Sequence, residues 1–207
     1  MVSTENTVLL QHQQLDEAGE VLGRAFFDDP LMAYVLPDEE RRRRVLPWFM
    51  ATGARFGRRN GEVHTTPDKV EGAAVWVPPA SLPISNMRMI MAGMWLVPFK
   101  TGLAATRRFM RVMDVLEEHH AHDVPAQHWY LMILGVDPER QGQGVGGRLI
   151  QPVLARADSD QLPCYLETMK EINVTFYRKH GFEVVSEGEI PDEGGPHYWT
   201  MRRDARG

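Results

Sequence analysis

Apolar and polar positions along this chain follow two periods, and the switches between them mark its elements. Leu15, Ala18, Val21, Leu22, Ala25 and Phe26 recur at helical spacing, which predicts a helix over 15–27 that ends at Asp28-Asp29-Pro30. A short strand over 7–10 precedes it. A short helix over 31–36 and a longer one from Pro37-Asp38 to about Phe56, running across Pro47, come after it. Asn60-Gly61 is a turn signal, and 62–66 with 70–77 reads as a hairpin stopped by Pro78-Pro79. The region 81–123 reads as two helices, the second with Phe109, Val112, Met113 and Leu116 in one apolar stripe. A long strand is predicted over 127–136, a helix over 143–157, a strand over 163–167 and a helix over 171–180. Gly181 is placed to follow the last helix as its C′ residue. Two closing antiparallel strands, 182–187 and 197–202, complete the pattern.

This order implies an α/β (α+β) fold: a mixed, mostly antiparallel central sheet with one parallel β-α-β crossover and helices on both faces. At 207 residues the chain is expected to be a single domain over 1–207, with 127–203 as its best-marked core and 81–123 as a helical insert. The hydrophobic share of 43% is enough for a sizeable core. A net charge of −5 argues against nucleic acid as a partner. Cys164 is the only cysteine, so no intrachain disulfide can form, which fits a reducing, cytoplasmic setting. The first residues lack a basic segment followed by an apolar one, so no signal peptide is expected. The most apolar stretch, 82–99, is interrupted by Asn86 and Arg88, and no membrane span is read there. The sequence leaves a homo-oligomer open.

The chemistry concentrates after the long strand. Asp137-Pro138 breaks it, and Gln141-Gly142-Gln143-Gly144-Val145-Gly146-Gly147-Arg148 opens the next helix. The first amides of a helix have no intrahelical partner and sit at the positive end of its dipole, so a glycine-rich entry is suited to an anion. A P-loop needs Lys and Ser/Thr where this chain has Arg148-Leu149. Gly142, Gly144 and Gly147 satisfy a dinucleotide fingerprint, with Glu167 twenty residues further on. Too few β-α-β units follow for that fold.

A third pattern fits better. Gln141-x-x-Gly144-x-Gly146, between a strand and a helix, resembles the [QR]-x-x-G-x-[GA] motif of the GCN5-related N-acetyltransferase (GNAT) family. Leu166-Glu167-Thr168, Asn173, and Phe176-Tyr177 followed by Gly181-Phe182 add to the likeness. With His128-Trp129-Tyr130 the C-terminal third is similar to the puromycin N-acetyltransferase-like branch. The resemblance is specific over 127–203 and generic over 1–126, where an acceptor would be chosen.

The resemblance implies a GNAT-type acyl-CoA N-acyltransferase fold and acetyl-CoA as acyl donor. An acetyl group would pass to a primary amine, of a small molecule, in a ternary complex. Backbone amides of Gln141, Gly142, Gln143, Gly144, Val145 and Gly146 would hold the pyrophosphate, with Gly147 and Arg148 close by. Leu134, Gly135 and Val136 would pair with the pantetheine arm, Gly135 marking a bulge or close backbone approach, and the Val136 amide would face the acyl oxygen. Tyr177 would be the general acid and lie against the cofactor, Asn173 on the same helix face would hold the cofactor arm or orient Tyr177, and Glu167 would be the base. His128 and Tyr130 are alternatives for the base, and His120 and Asp29 weaker ones. Tyr34, Trp95 and Trp129 are expected to wall an acceptor pocket. The Met-rich stretch 87–94 reads as packing or as part of that pocket. Glu117 to Asp123, with His119, His120 and His122, lacks a second ligand group at zinc-like spacing, so no metal is expected. A non-catalytic acyl-CoA sensor and a nucleotide-cofactor oxidoreductase remain as the other two classes.

Overall fold

This computed structural model describes residues 7–84 and 86–206. Seven strands form one sheet: β1 (Val8–Leu9), β2 (Glu62–Thr65), β3 (Gly72–Val77), β4 (Trp129–Val136), β5 (Cys164–Thr168), β6 (Glu183–Glu189) and β7 (His197–Arg203). Their order is β1-β2-β3-β4-β5-β7-β6. Every neighbouring pair is antiparallel except β4 and β5. The helices are α1 (Leu15–Ala25), α2 (Pro30–Val35), α3 (Glu39–Asn60), α4 (Asn86–Ala92), α5 (Val97–Thr101), α6 (Leu103–Asp123), α7 (Val145–Ser159) and α8 (Glu171–Lys179).

Alternation along the strands sorts side chains into two cores. Ala74, Trp76, Trp129, Leu131, Cys164, Leu166 and Met201 face α7 and α8. Ala73, Val75 and Val63 face α1 and α3. Over the β5–β7 half of that second face, Val112 and Leu116 of α6 pack on Met169, Ile190 and Tyr198, with Leu31 and Tyr34 of α2 beside them. The helices therefore cover both faces, as the β-α-β pattern required.

The insert differs from the expected two helices. It holds three, because Gly93 and Gly102 take positive φ angles of 107° and 78° and interrupt the first half. The helix after the glycine turn also starts later than residue 143, at Val145, since Gly144 is its N-cap in a left-handed conformation.

Strand β4 holds the feature that shapes the site. Opposite it, Val75 pairs with Ile133 and Trp76 with Leu131, so Met132 is an extra residue, a β-bulge. The side chains confirm the change of phase. Trp129 and Leu131 face α7, Met132 and Ile133 both face the α1 side, and Leu134 and Val136 return to the α7 side. The irregularity thus lies at Met132 rather than at Gly135. Gly135 marks a close approach instead: a Cβ there would lie 2.6 Å from Leu22 Cδ2 and 2.9 Å from Phe26 Cε2 of the α1 segment. Gly135→Ala is expected to cost about 1–3 kcal/mol by overpacking this contact, measured as a lower denaturant midpoint at unchanged m-value.

Candidate active site

Parallel pairing of β4 with β5 is confined to Trp129↔Cys164 and Tyr130↔Tyr165. Beyond Tyr130 the two strands part, and each leaves a polar backbone edge facing the gap. Asp137 N–H donates to the Glu71 carbonyl on the β3 side at 2.8 Å. Amides alternate in direction along a strand, so Gly135 also points to β3, while the Leu134 and Val136 amides point into the gap. The Val136 carbonyl on that side accepts from Gln141 Nε2 at 3.1 Å.

The glycine turn closes the end of the gap. Gly142 and Gly144 have φ angles of 75° and 76°, which L side chains rarely adopt. Gly146 and Gly147 have a separate reason. Cβ atoms there would lie 3.3 Å from Phe176 Cζ and 3.0 Å from His180 Cε1, so these glycines let α8 close on α7. No side chain caps α7, and its first intrahelical bond of this end is Arg148 N–H to the Gly144 carbonyl at 3.2 Å. The amides of Val145, Gly146 and Gly147 lie before it and are open to an anion. The Val145 side chain is itself core, so only its backbone can serve. Gln143 is committed to the Glu139 carbonyl, 3.1 Å. Arg148 Nη1 donates to the Gln143 carbonyl at 3.2 Å, but its buried Nε has no partner. An uncapped helix end beside an unpartnered guanidinium nitrogen fits a phosphorylated ligand such as coenzyme A.

Tyr177 and Glu167 lie on opposite faces of the sheet, flanking the gap. Tyr177 belongs to the α7–α8 core against Phe176 and Phe182, with ring centroids 5.1 and 5.8 Å away. Its helix ends at Gly181, whose φ is 90°, and Phe182 N–H returns to the Tyr177 carbonyl at 3.1 Å. Burial, and then the Asp29 carboxylate, push its phenol well above the usual value. The hydroxyl has no protein hydrogen bond among the described residues, so it is free for a ligand. Asn173 shares the helix but does not orient Tyr177: its Nδ2 donates to Thr168 Oγ1 at 2.9 Å, tying α8 to the end of β5. Asp29 is the N-cap of α2, accepting from Leu31 N–H at 3.0 Å, and burial raises its carboxyl.

Glu167 follows Tyr165 on the face covered by α6, and its side chain is 8% exposed. Burial pushes its carboxyl up to about 8, against the opposing effect of the Tyr130 hydroxyl beside it. Four rings, of His120, His128, Tyr130 and Tyr165, cluster on this side of the sheet. His120 of α6 places Nδ1 3.6 Å from Glu167 Oε1. His120 Nε2 is 2.7 Å from His128 Nε2, and His128 Nδ1 is 2.6 Å from the Pro125 carbonyl. Tyr130 and Tyr165 stack on His120 at 4.6 and 4.5 Å. The sequence named His120, His128 and Tyr130 singly. That they meet was hidden, because the pairing of the α6 end with the start of β4 is tertiary. The one visible signal was the alternation of His128 and Tyr130 with Trp129.

The aromatic side chains expected to wall an acceptor pocket do not come together. Trp129 faces α7, with Arg156 5.5 Å over its ring, and Trp95 is 56% exposed beside Phe99. Both lie apart from Tyr34, which packs on the α6 side. Met87 and Met91 are each 64% exposed. Cys164 is fully buried, and burial raises its thiol to about 12, which disfavours it as a nucleophile. Among the described residues no group of His, Cys, Asp and Glu is placed to hold a metal ion, and no helix is long and apolar enough to cross a membrane.

Residues 107–184 match the acetyltransferase (GNAT) domain model. The chain is 27% identical over 177 residues to an uncharacterized N-acetyltransferase of Schizosaccharomyces pombe, covering 80% of this chain and 69% of that one. Its fold is shared with a crystal structure described as histone acetyltransferase HPA2 and related acetyltransferase, from Corynebacterium glutamicum. That likeness has a TM-score of 0.63 at 21% identity over 97% of each chain. An agmatine N-acetyltransferase variant has a TM-score of 0.60 at 16% identity, over 96% of this chain and 98% of that one. Arylalkylamine N-acetyltransferase 2 from Aedes aegypti has a TM-score of 0.59 at 15% identity, over 97% and 98%. Residues 107–184 are thus similar to a GNAT acetyltransferase domain, and the likeness to the yeast N-acetyltransferase and the shared fold agree with that.

Proposed function

We propose that the enzyme transfers an acetyl group from acetyl-CoA to the primary amine of a small molecule, by direct attack in a ternary complex. The observation that carries this reading is the β4–β5 gap with Tyr177 on one face and Glu167 on the other. Acetyl-CoA, when bound, supplies an acyl group activated as a thioester. The amides of Gln141 to Gly147 and Arg148 Nε would hold its phosphates. The gap-facing backbone of Leu134 and Val136 would pair with its amide-bearing arm, Gly135 between them being turned to β3, and the Val136 N–H would face the acyl oxygen as negative charge develops there.

Glu167 takes a proton from the acceptor ammonium, which frees the nitrogen lone pair for attack. Its raised proton affinity matches this work near neutral pH. Tyr177 gives a proton to the departing sulfur; its phenol stays protonated across the working range. Asn173 and Thr168 hold the α8–β5 junction, so Asn173 supports the cofactor side through Thr168.

A small amine is favoured because the proposed base is buried beneath α6, with its side chain 8% exposed. Two fold relatives are named for agmatine or arylalkylamines, and one for histone. The burial of Glu167 supports the small amine. On composition, with one buried cysteine, the reading extends to a reducing, cytoplasmic setting. The resemblance of the C-terminal third extends it to the puromycin N-acetyltransferase-like branch.

An amine-library screen for CoA release tests the proposal. Turnover is expected with one class of small primary amines. Titration with acetyl-CoA and NAD in parallel provides the control: binding of NAD and not acetyl-CoA would sink the reading.

A further inference from the structure

We propose that His120 and His128 are positioning residues that share the proton of Glu167, so that the base of this site is a three-residue unit assembled by the helical insert. This rests on Glu167 being the base in the reading above.

The hydrogen-bond directions fix the unit. The Pro125 carbonyl can only accept, so the proton of His128 sits on Nδ1, 2.6 Å away. Burial lowers His128 and keeps its ring neutral, so Nε2 carries a lone pair. At 2.7 Å, that lone pair must accept from His120 Nε2–H. Burial, then the neighbouring His128, lower His120 to about 4, so its ring is neutral as well and its Nδ1 is unprotonated. This Nδ1 faces Glu167 Oε1 across 3.6 Å. A lone pair and a carboxylate facing each other repel. One proton between them, on the Glu167 carboxyl and directed at Nδ1, removes the conflict. The gap is slightly longer than a direct hydrogen bond and is closed by a small ring rotation or one water.

The surrounding charges do not undo this. Tyr130 from β4 lies against the carboxyl. Tyr165 from β5 stacks on His120. Glu117 and Asp123, from α6, both favour the protonated form of Glu167. Asp123 also raises His120, but less than burial and His128 lower it.

The proton balance is simple. One N–H bond of the acceptor ammonium breaks, its proton passes to Glu167, and the electron pair stays on nitrogen. The proton is then held between Glu167 Oε1 and His120 Nδ1 until solvent removes it. An acceptor lone pair at His120 makes Glu167 a stronger base than a carboxylate alone.

Two measurements on the full-length protein test this. Nitrogen-15 NMR of the imidazoles reads the tautomers without substrate. The expected result is His128 protonated on Nδ1 and His120 on Nε2 below the Glu167 ionisation; the opposite tautomer at His120 overturns the proposal. The pH profile of kcat/KM, with an amine found by the screen, reads the consequence. In His120→Asn and His128→Leu the rising limb near pH 8 should move down by at least half a unit, and the plateau should fall about tenfold. His128→Gln restores an acceptor oxygen for His120 Nε2–H and should keep the limb in place. A purely structural role lowers activity in all three without moving the limb, and that outcome overturns the proposal. If no amine is acetylated while the tautomers are as stated, acetyl transfer is what fails, and the proton-sharing unit stands.

Discussion

Tyr177→Phe is expected to lower kcat about 100- to 1,000-fold, with KM for acetyl-CoA nearly unchanged. The magnitude follows from what a positioned general acid contributes. The sign of the effect on folding is the control. Among the described residues the hydroxyl has no hydrogen bond, so its removal orphans none of them, and the ring contacts with Phe176 and Phe182 stay. The variant should melt within a few degrees of the parent. Steady-state kinetics with a thiol-detecting assay, alongside a thermal melt, check both parts. Full turnover in the variant would move the acid role elsewhere. Binding of acetyl-CoA with no turnover in the parent either would make the protein a sensor.

Glu167→Gln should lower kcat/KM about 100-fold or more and change the shape of its pH dependence. In the parent the base must be ionised, and its carboxyl is held up to about 8 by burial. Activity should therefore rise as pH rises through that value. Glutamine cannot titrate, so the limb should vanish, leaving only the ionisation of the amine itself. A profile measured from pH 6 to 10 decides the matter. A limb that persists in the variant would assign it to another group, with Tyr130 and His120 the nearest.

Much of this architecture was legible because local signals and tertiary demands coincide. The Leu15–Phe26 stripe faces α3 and the sheet, the Asn60-Gly61 turn precedes a hairpin, and Gly181 takes the positive φ expected of it. The glycine turn was legible as an open helix entry, though two of its glycines make room for α8. Three things were not legible. The division of the insert depends on Gly93 and Gly102, whose left-handed conformations have no apolar periodicity to announce them. The bulge at Met132 is invisible in an apolar run, since a strand buried on both faces shows no alternation to break. The histidine pair joins residues eight apart across a helix-to-strand connection, and neither side chain signals the other.

Met132 also sets a rule for how this protein can change. A strand is a parity counter: each residue flips the side that the next one serves. Position 132 skips one count, so the odd-numbered Trp129 and Leu131 and the even-numbered Leu134 and Val136 address the same face. Deleting that residue, with nothing else altered, would exchange α7-facing and α1-facing positions over the whole second half of the strand. Gly135 would be replaced beneath Leu22 by a side chain that does not fit there. A single substitution along β4 thus disturbs one position, whereas a change in its length disturbs every position after it.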